Sequence, residues 1–446
     1  MAAVPNVFDN NNNSRQKIEA NNNNNGDNNT NNNEIIKINH STFTKKIKLS
    51  TVVTALLIAT LLIPTSAISI PVYGQQQQNT LKVITQVVCP QGYTCPSASD
   101  FTMRFFVALD PKPSSFNGNS SGVDVTLGDG NYDATSFSYP DLPQGLVLYP
   151  GHSPHCTGTI SGGQTKTCIV LMALSSNVDT DGDRIPDSWE TNGIPYNGTD
   201  GVLHYYKLSG ANPNHKNLYV EVDYMQYHNP YSDALEDVKK AFTDAPVSNP
   251  AGTTGISLQT DVNEQIPHQD IITMDGLLDS IKPEWFGTAT ERKDSNHDAM
   301  LAAKSLVYHY GLFAHEMPGG ITGQANTPGM NFILSLADPQ FTGPGHSVGS
   351  KTEQAFDFMH ELGHNLGLRH GGGDAVNCKP NYLSVMNYYF SMGQYVANED
   401  QHIVAMKMRK KKEQSNEPDY DEDENQLEEK QEEEAEEITT THNQVF

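Results

Sequence analysis

"HELGHNLGLRHGG", His360 to Gly372, is the stretch from which the rest of the chain can be read. On a helix, His360 and His364 stand one turn apart and so share a face, with ring nitrogens able to reach a common point. Gly367 can adopt the left-handed conformation that ends a helix and turns the chain back, which delivers His370 to the same point. Three neutral imidazoles with a fourth position open make a catalytic type of zinc site, because Zn2+ takes four ligands and chemistry needs one that exchanges. Glu361, next to the first ligand, falls beside that open position. There its carboxylate can accept a proton from a water attacking a carbonyl and later return it to the leaving amine.

The flanks extend this reading. Ser350 followed by Glu353 fits a capping box, so a helix starts near Lys351 and runs through "TEQAFDFMHELGHNL". Beyond His370, "YLSVMNYY" places Met386 and Tyr388 downstream of the third histidine. Together these motifs resemble those of the metzincin zinc metallopeptidases, from about Asn177 to Phe390. The resemblance implies an α/β (α+β) catalytic domain with a mixed sheet and a zinc-binding helix. It implies catalytic Zn2+ on His360, His364 and His370, with Glu361 as general base in hydrolysis of a protein or peptide substrate. It also implies that Met386 forms a Met-turn beneath the imidazoles, that Tyr388 stabilises the oxyanion, and that "MNFILSL" is the edge strand that binds an extended peptide. Gly371 follows the third histidine where the best-known subfamilies carry other residues, which leaves subfamily and specificity open. None of the four upstream cysteines lies in a cysteine-switch motif.

Upstream, "DTDGDRIPDSWE" spaces oxygen ligands at alternate positions and ends on a glutamate, the pattern of a loop wrapped around a hard cation. Asp179, Asp181, Asp183 and Glu190 supply carboxylates, Ile185 a backbone carbonyl, and Asp187 a direct or water-mediated contact. Carboxylates this crowded repel one another unless a cation sits among them, so structural Ca2+ is expected. Arg184 stands where an EF-hand has glycine, and the string looks more like the aspartate-rich repeats of the thrombospondin type 3 kind.

Between these motifs "NLYVEVDYM" alternates as a strand, "SDALEDVKKAFTDA" puts Leu235, Val238 and Phe242 on one helical face behind a Ser232 cap, and "GISLQTDV", "SLVYHYGLFAH" and "MNFILSL" read as further strands. An α/β domain over 177–395 follows. Before it, residues 81–175 read as short strands broken by Gly-rich turns, a small all-β sandwich. "VTLGDGNYDA" and "CTGTISGGQTKTC" resemble immunoglobulin-like or prealbumin-like modules of microbial surface proteins, which implies a spacer or adhesive role.

The ends differ in kind. Residues 1–44 include "NNNNNGDNNTNNNE", too polar to offset the entropy of ordering, and read as disordered. Residues 45–73 form a signal anchor or a cleaved signal peptide: Leu49 to Val72 carry no charge, long enough to cross a bilayer, where about 20 apolar residues suffice. Lys45, Lys46 and Lys48 put the N-terminus inside and the rest of the chain outside. If uncleaved, residues 49–72 hold the protein in the membrane; if cleaved, it is secreted. Much of the formal charge of -25 sits in the run "EPDYDEDENQLEEKQEEEAEE" within the tail 396–446, behind a basic cluster from Lys407, and the run is expected to be solvated. No basic face with interleaved aromatics appears, so nucleic acid is not an expected partner. Cys89, Cys95, Cys156 and Cys168 can form two disulfides in any of three pairings, which fits an oxidising compartment, and Cys378 is left over as a small buried thiol.

The expectation is an extracytoplasmic zinc endopeptidase. Its competitor is a non-enzymatic surface binding or adhesion protein with structural metal sites. Glu361 separates them, since a structural zinc has no use for a base and fills its fourth position with protein.

Overall fold

The computed structural model describes residues 78–337 and 348–388. The Asn-rich tract, the signal anchor or signal peptide 45–73 and the charged tail lie outside the described residues. All of the described residues lie within the unit Val72–Phe446. Among the described residues no helix is long and apolar enough to cross a membrane. Disulfides Cys89–Cys95 and Cys156–Cys168 are formed, as an oxidising compartment allows. Cys378 is exposed, not buried, because it lies in a surface loop beside Val376, itself 58% exposed.

The first eight strands are β1 (Asn79–Val88), β2 (Thr102–Val107), β3 (Ser115–Asn117), β4 (Val123–Leu127), β5 (Gly130–Ser138), β6 (Leu146–His152), β7 (Thr157–Ile160) and β8 (Thr165–Ser176). They make two four-stranded sheets, β4-β1-β8-β6 and β3-β2-β5-β7. Inward residues of both, among them Leu81, Val83, Met103, Tyr132 and Val170, form one core. β8 is apolar on both faces. Cys168, Val170, Met172 and Leu174 point into that core, while Ile169, Leu171 and Ala173 belong to a second core shared with the rest of the chain. An unbroken run such as "CIVLMAL" is what a strand covered on both sides requires.

Helix α1 (Asp187–Asn192) and the hairpin β9 (Ile194–Asn197) with β10 (Leu203–Tyr206) follow. The large sheet contains β11 (Asn217–Met225), β12 (Ser257–Ile266), β13 (Tyr308–Phe313), β14 (Gly323–Ala325) and β15 (Asn331–Leu334), in the order β12-β11-β13-β15-β14. The first four in that order run parallel, and β14 closes the edge antiparallel to β15. This is a mixed α/β arrangement with few helices. "MNFILSL" is therefore not the edge: β15 lies inside the sheet, as its buried Phe332, Ile333 and Leu334 demand. The edge on that side is β14, "GQA", short, glycine-led and without apolar alternation, and β12 lies at the other edge.

Helices α2 (Ser232–Thr243) and α4 (Lys351–Asn365) cover one face of this sheet through Leu235, Val238, Phe358 and Leu362, packed on Leu218, Val220, Phe332 and Leu334. Ser232 is the first helical residue and Tyr231 the cap. Helix α3 (His297–Lys304) and the outer face of β8 cover the other. There Lys304, 1% exposed, lies 2.5 Å from Glu221 of β11 and 2.9 Å from Glu291, binding α3 to the sheet through a buried ion triad.

Candidate active site

α4 begins as its sequence dictates. The Glu353 carboxylate accepts from the Ser350 N–H at 2.6 Å, and the Ser350 hydroxyl accepts from the Glu353 N–H at 3.3 Å. It ends in a Schellman turn: Leu368 N–H donates to Gly363 C=O at 2.9 Å and Gly367 N–H to His364 C=O at 2.9 Å, with Gly367 at φ 95°. A side chain at 367 would resist that conformation, and without the turn His370 would continue away from the helix.

The turn brings His360, His364 and His370 together, with one ring nitrogen of each within 4.8 Å of the others. His360 Nδ1–H donates to Val385 C=O at 2.8 Å and His364 Nδ1–H to Leu368 C=O at 2.8 Å. A carbonyl only accepts, so both protons are fixed on Nδ1 and both Nε2 lone pairs face the common point. His364 Nε2 lies 3.2 Å from His370 Nε2. Two nitrogens on one tetrahedral zinc are roughly 3.3 Å apart, given Zn–N near 2.0–2.1 Å. Burial, reinforced by the neighbouring imidazoles, pulls His360 to about 3 and His364 to about 4, and burial lowers His370. The triad is neutral, as ligands must be.

Glu361 is 5% exposed and its Oε2 has no hydrogen-bond partner among the described residues. Burial, then the Asp357 carboxylate one turn earlier, hold its carboxyl well above the usual range. A cation at the triad would pull it down again. The carboxylate lies against β14: a Cβ on Gly323 would stand 2.5 Å from Glu361 Oε1. A Cβ on Gly363 would likewise stand 2.5 Å from the sulfur of Met386, which is 1% exposed and sits under the helix between the two histidines. The Tyr388 ring packs 4.1 Å from that of His370 and 5.5 Å from that of His360.

Three supporting residues escaped the sequence reading. Asn365, fully buried, pairs with His309 at 3.0 Å and donates to Asn326 C=O and Asn331 C=O, fastening the helix to β15. Asn387 donates to Lys379 C=O and Tyr382 C=O, holding the turn that carries Met386. Asp357, hydrogen-bonded to Thr322 and raised to about 7 by burial, ties α4 to the start of β14. Their signal was only proximity to the motifs, which spacing does not read.

In the acidic loop, Asp179, Asp181 and Asp183 converge. Asp179 accepts from the Gly182 and Arg184 N–H groups and Asp183 from those of Ile185 and Asn217. Arg184 adopts φ 74°, the conformation an EF-hand assigns to glycine. Burial and the neighbouring carboxylates push Asp183 up to about 8 and Glu190 to about 9. Asp181 Oδ2 and Glu190 Oε2 are buried without a hydrogen-bond partner among the described residues. Asp187 faces differently, accepting from Thr180 N–H at 2.7 Å and Oγ–H at 2.6 Å. Ile185 has its side chain in the core.

No protein-family model matches the chain, and no curated protein matches it. Among solved structures, it is similar to the archaemetzincin of Methanopyrus kandleri, 15% identical, over 40% of this chain and 83% of that one, with a TM-score of 0.22. It is also similar to a chaperone-substrate complex, 13% identical, over 50% of this chain and 41% of that one, with a TM-score of 0.23. Both scores are too low to establish a shared fold, and the site rests on its own geometry.

Proposed function

We propose that the protein is an extracytoplasmic zinc-dependent endopeptidase. The observation that carries this is the convergence of three neutral imidazoles beside a buried carboxylate whose free oxygen has no other use. His360, His364 and His370 would hold zinc, which when bound supplies Lewis acidity and lowers the pKa of water to about 7.

The remaining work falls to the chain. β14 would offer the side of its backbone turned away from β15 to an extended peptide, since a sheet edge can pair with a further strand. Glu361 takes the proton of the attacking water at Oε2 and returns it to the leaving nitrogen, and its burial against Gly323 keeps bulk water from competing for it. Tyr388, beside His370, donates to the oxygen that gains charge. The acidic loop would hold Ca2+ and brace the entry to β11 through the bond between Asp183 and the Asn217 N–H.

The test is His370→Ala in the full chain. Zinc content should fall by one equivalent and cleavage of an unstructured protein should stop. Unchanged zinc and activity would contradict the proposal.

A further inference from the structure

The large sheet carries a second group of imidazoles that peptide hydrolysis does not use. β12, β11 and β13 are parallel neighbours, so their C-terminal ends lie side by side. His228, His268 and His315 follow closely on the ends of β11 at Met225, β12 at Ile266 and β13 at Phe313. Each strand thus delivers one histidine to a single place, outside the carboxyl ends of the strands, where open α/β sheets bind ligands. One ring nitrogen of each lies within 4.8 Å of the others, the spacing the first triad also satisfies.

The details match a ligand set. His315 Nδ1 lies 3.2 Å from His228 Nε2, the same separation as between His364 Nε2 and His370 Nε2. Asp270 Oδ1 lies 3.3 Å from His268 Nε2. A proton on Nε2 facing that carboxylate would leave Nδ1 as the lone-pair donor, the arrangement by which outer carboxylates orient metal-binding histidines. That Nδ1 is buried and has no hydrogen-bond partner among the described residues. A hydrogen bond between His228 and His315 would use one nitrogen of each and leave the His268 lone pair buried and idle; a cation engages all three. His228 is 2% exposed, so the group is not a loose surface cluster.

We propose that His228, His268 and His315 form a second transition-metal site, for Zn2+, separate from the triad on α4. Imidazole nitrogen is a preferred donor for this class of ion. The site would be structural. His315 lies near the start of the segment 314–322, which returns into β14, so an ion there ties the ends of three strands to the segment that precedes the edge against Glu361.

The experiment counts zinc in the full chain after equilibration with Zn2+ alone and dialysis. Wild type should hold two equivalents, His364→Ala/His370→Ala one, His268→Ala/His315→Ala one, and the fourfold variant none. Wild-type zinc content in a folded His268→Ala/His315→Ala variant would overturn the proposal while leaving the first triad standing. Should that variant fail to fold, Co2+ is titrated into His364→Ala/His370→Ala: one equivalent with visible d–d absorption is expected, and its absence overturns the second site. Loss of zinc by His268→Ala/His315→Ala together with no loss by His364→Ala/His370→Ala would instead remove the first reading and keep this one.

Discussion

Gly323 and Gly363 are the positions where the site has no room for a side chain. A glycine inside a helix costs roughly 1 kcal/mol against alanine, and at 363 the sulfur of Met386 explains why it is there. At Gly323 the neighbour is the base itself. Gly323→Ala must push the Glu361 carboxylate aside, and a displacement near 1 Å costs on the order of 10²-fold in rate. Steady-state kinetics should show that fall in kcat with the melting temperature little changed; undiminished kcat would mean the carboxylate is not positioned by β14. Outside the site, His152 adds to the acid sensitivity that the buried His360 and His364 also bring. His152 Nε2 is buried without a hydrogen-bond partner among the described residues, and burial, then Lys282, lower it to about 4. Its folded value lies below its unfolded value near 6.5. As pH falls from 6.5 toward 4, the unfolded chain takes a proton that the folded chain refuses, so stability is lost, at most about 3 kcal/mol. Denaturant titrations should show a shallower loss over that window in His152→Gln than in wild type; parallel slopes would acquit this residue.

At the scale of elements, helix α4 was legible because everything that shapes it is local: the Ser350 and Glu353 cap, the two histidines a turn apart, and Gly367 at the end. β11 was legible as a strand for the same reason, its pattern visible within nine residues, although both of its faces are buried, which the alternation does not show. β14 was not, since three residues led by glycine carry no period and become a strand only by pairing with β15. The triad of His228, His268 and His315 was invisible for a stronger reason, because it exists only once three distant strands lie side by side. The acidic loop lies between these cases: its spacing predicts the convergence of Asp179, Asp181 and Asp183, but not the turn of Asp187 toward Thr180. Calcium at 100 times its dissociation constant should stabilise the fold by about 2.7 kcal/mol. Thermal melts with zinc held constant should therefore rise by several degrees on adding calcium and return with a calcium chelator, and indifference to both would remove the ion from this loop.

Across the whole molecule, β8 decides how the parts relate. The sequence implies a spacer or adhesive role for residues 81–175; in the fold, Ile169, Leu171 and Ala173 are buried in the same core as Tyr219, Tyr308 and Ala302. Removing the sandwich would strip that core of one wall. The described part of the chain should melt in one cooperative transition, and calorimetry resolving two independent transitions would contradict the shared core. The buried triad of Lys304, Glu221 and Glu291 serves the same union: Lys304→Met leaves two carboxylates uncompensated and should cost about 3–5 kcal/mol by denaturant titration, whereas a loss below 1 kcal/mol would show the triad is dispensable. The central claim is hydrolysis with Glu361 as base. Its most direct test compares wild type and Glu361→Gln, at matched zinc content, on an unstructured protein substrate. Proton transfer contributes typically ~10² to 10⁴-fold, so Glu361→Gln should lose activity by that factor while keeping its zinc, whereas equal activity in the two proteins would contradict the account.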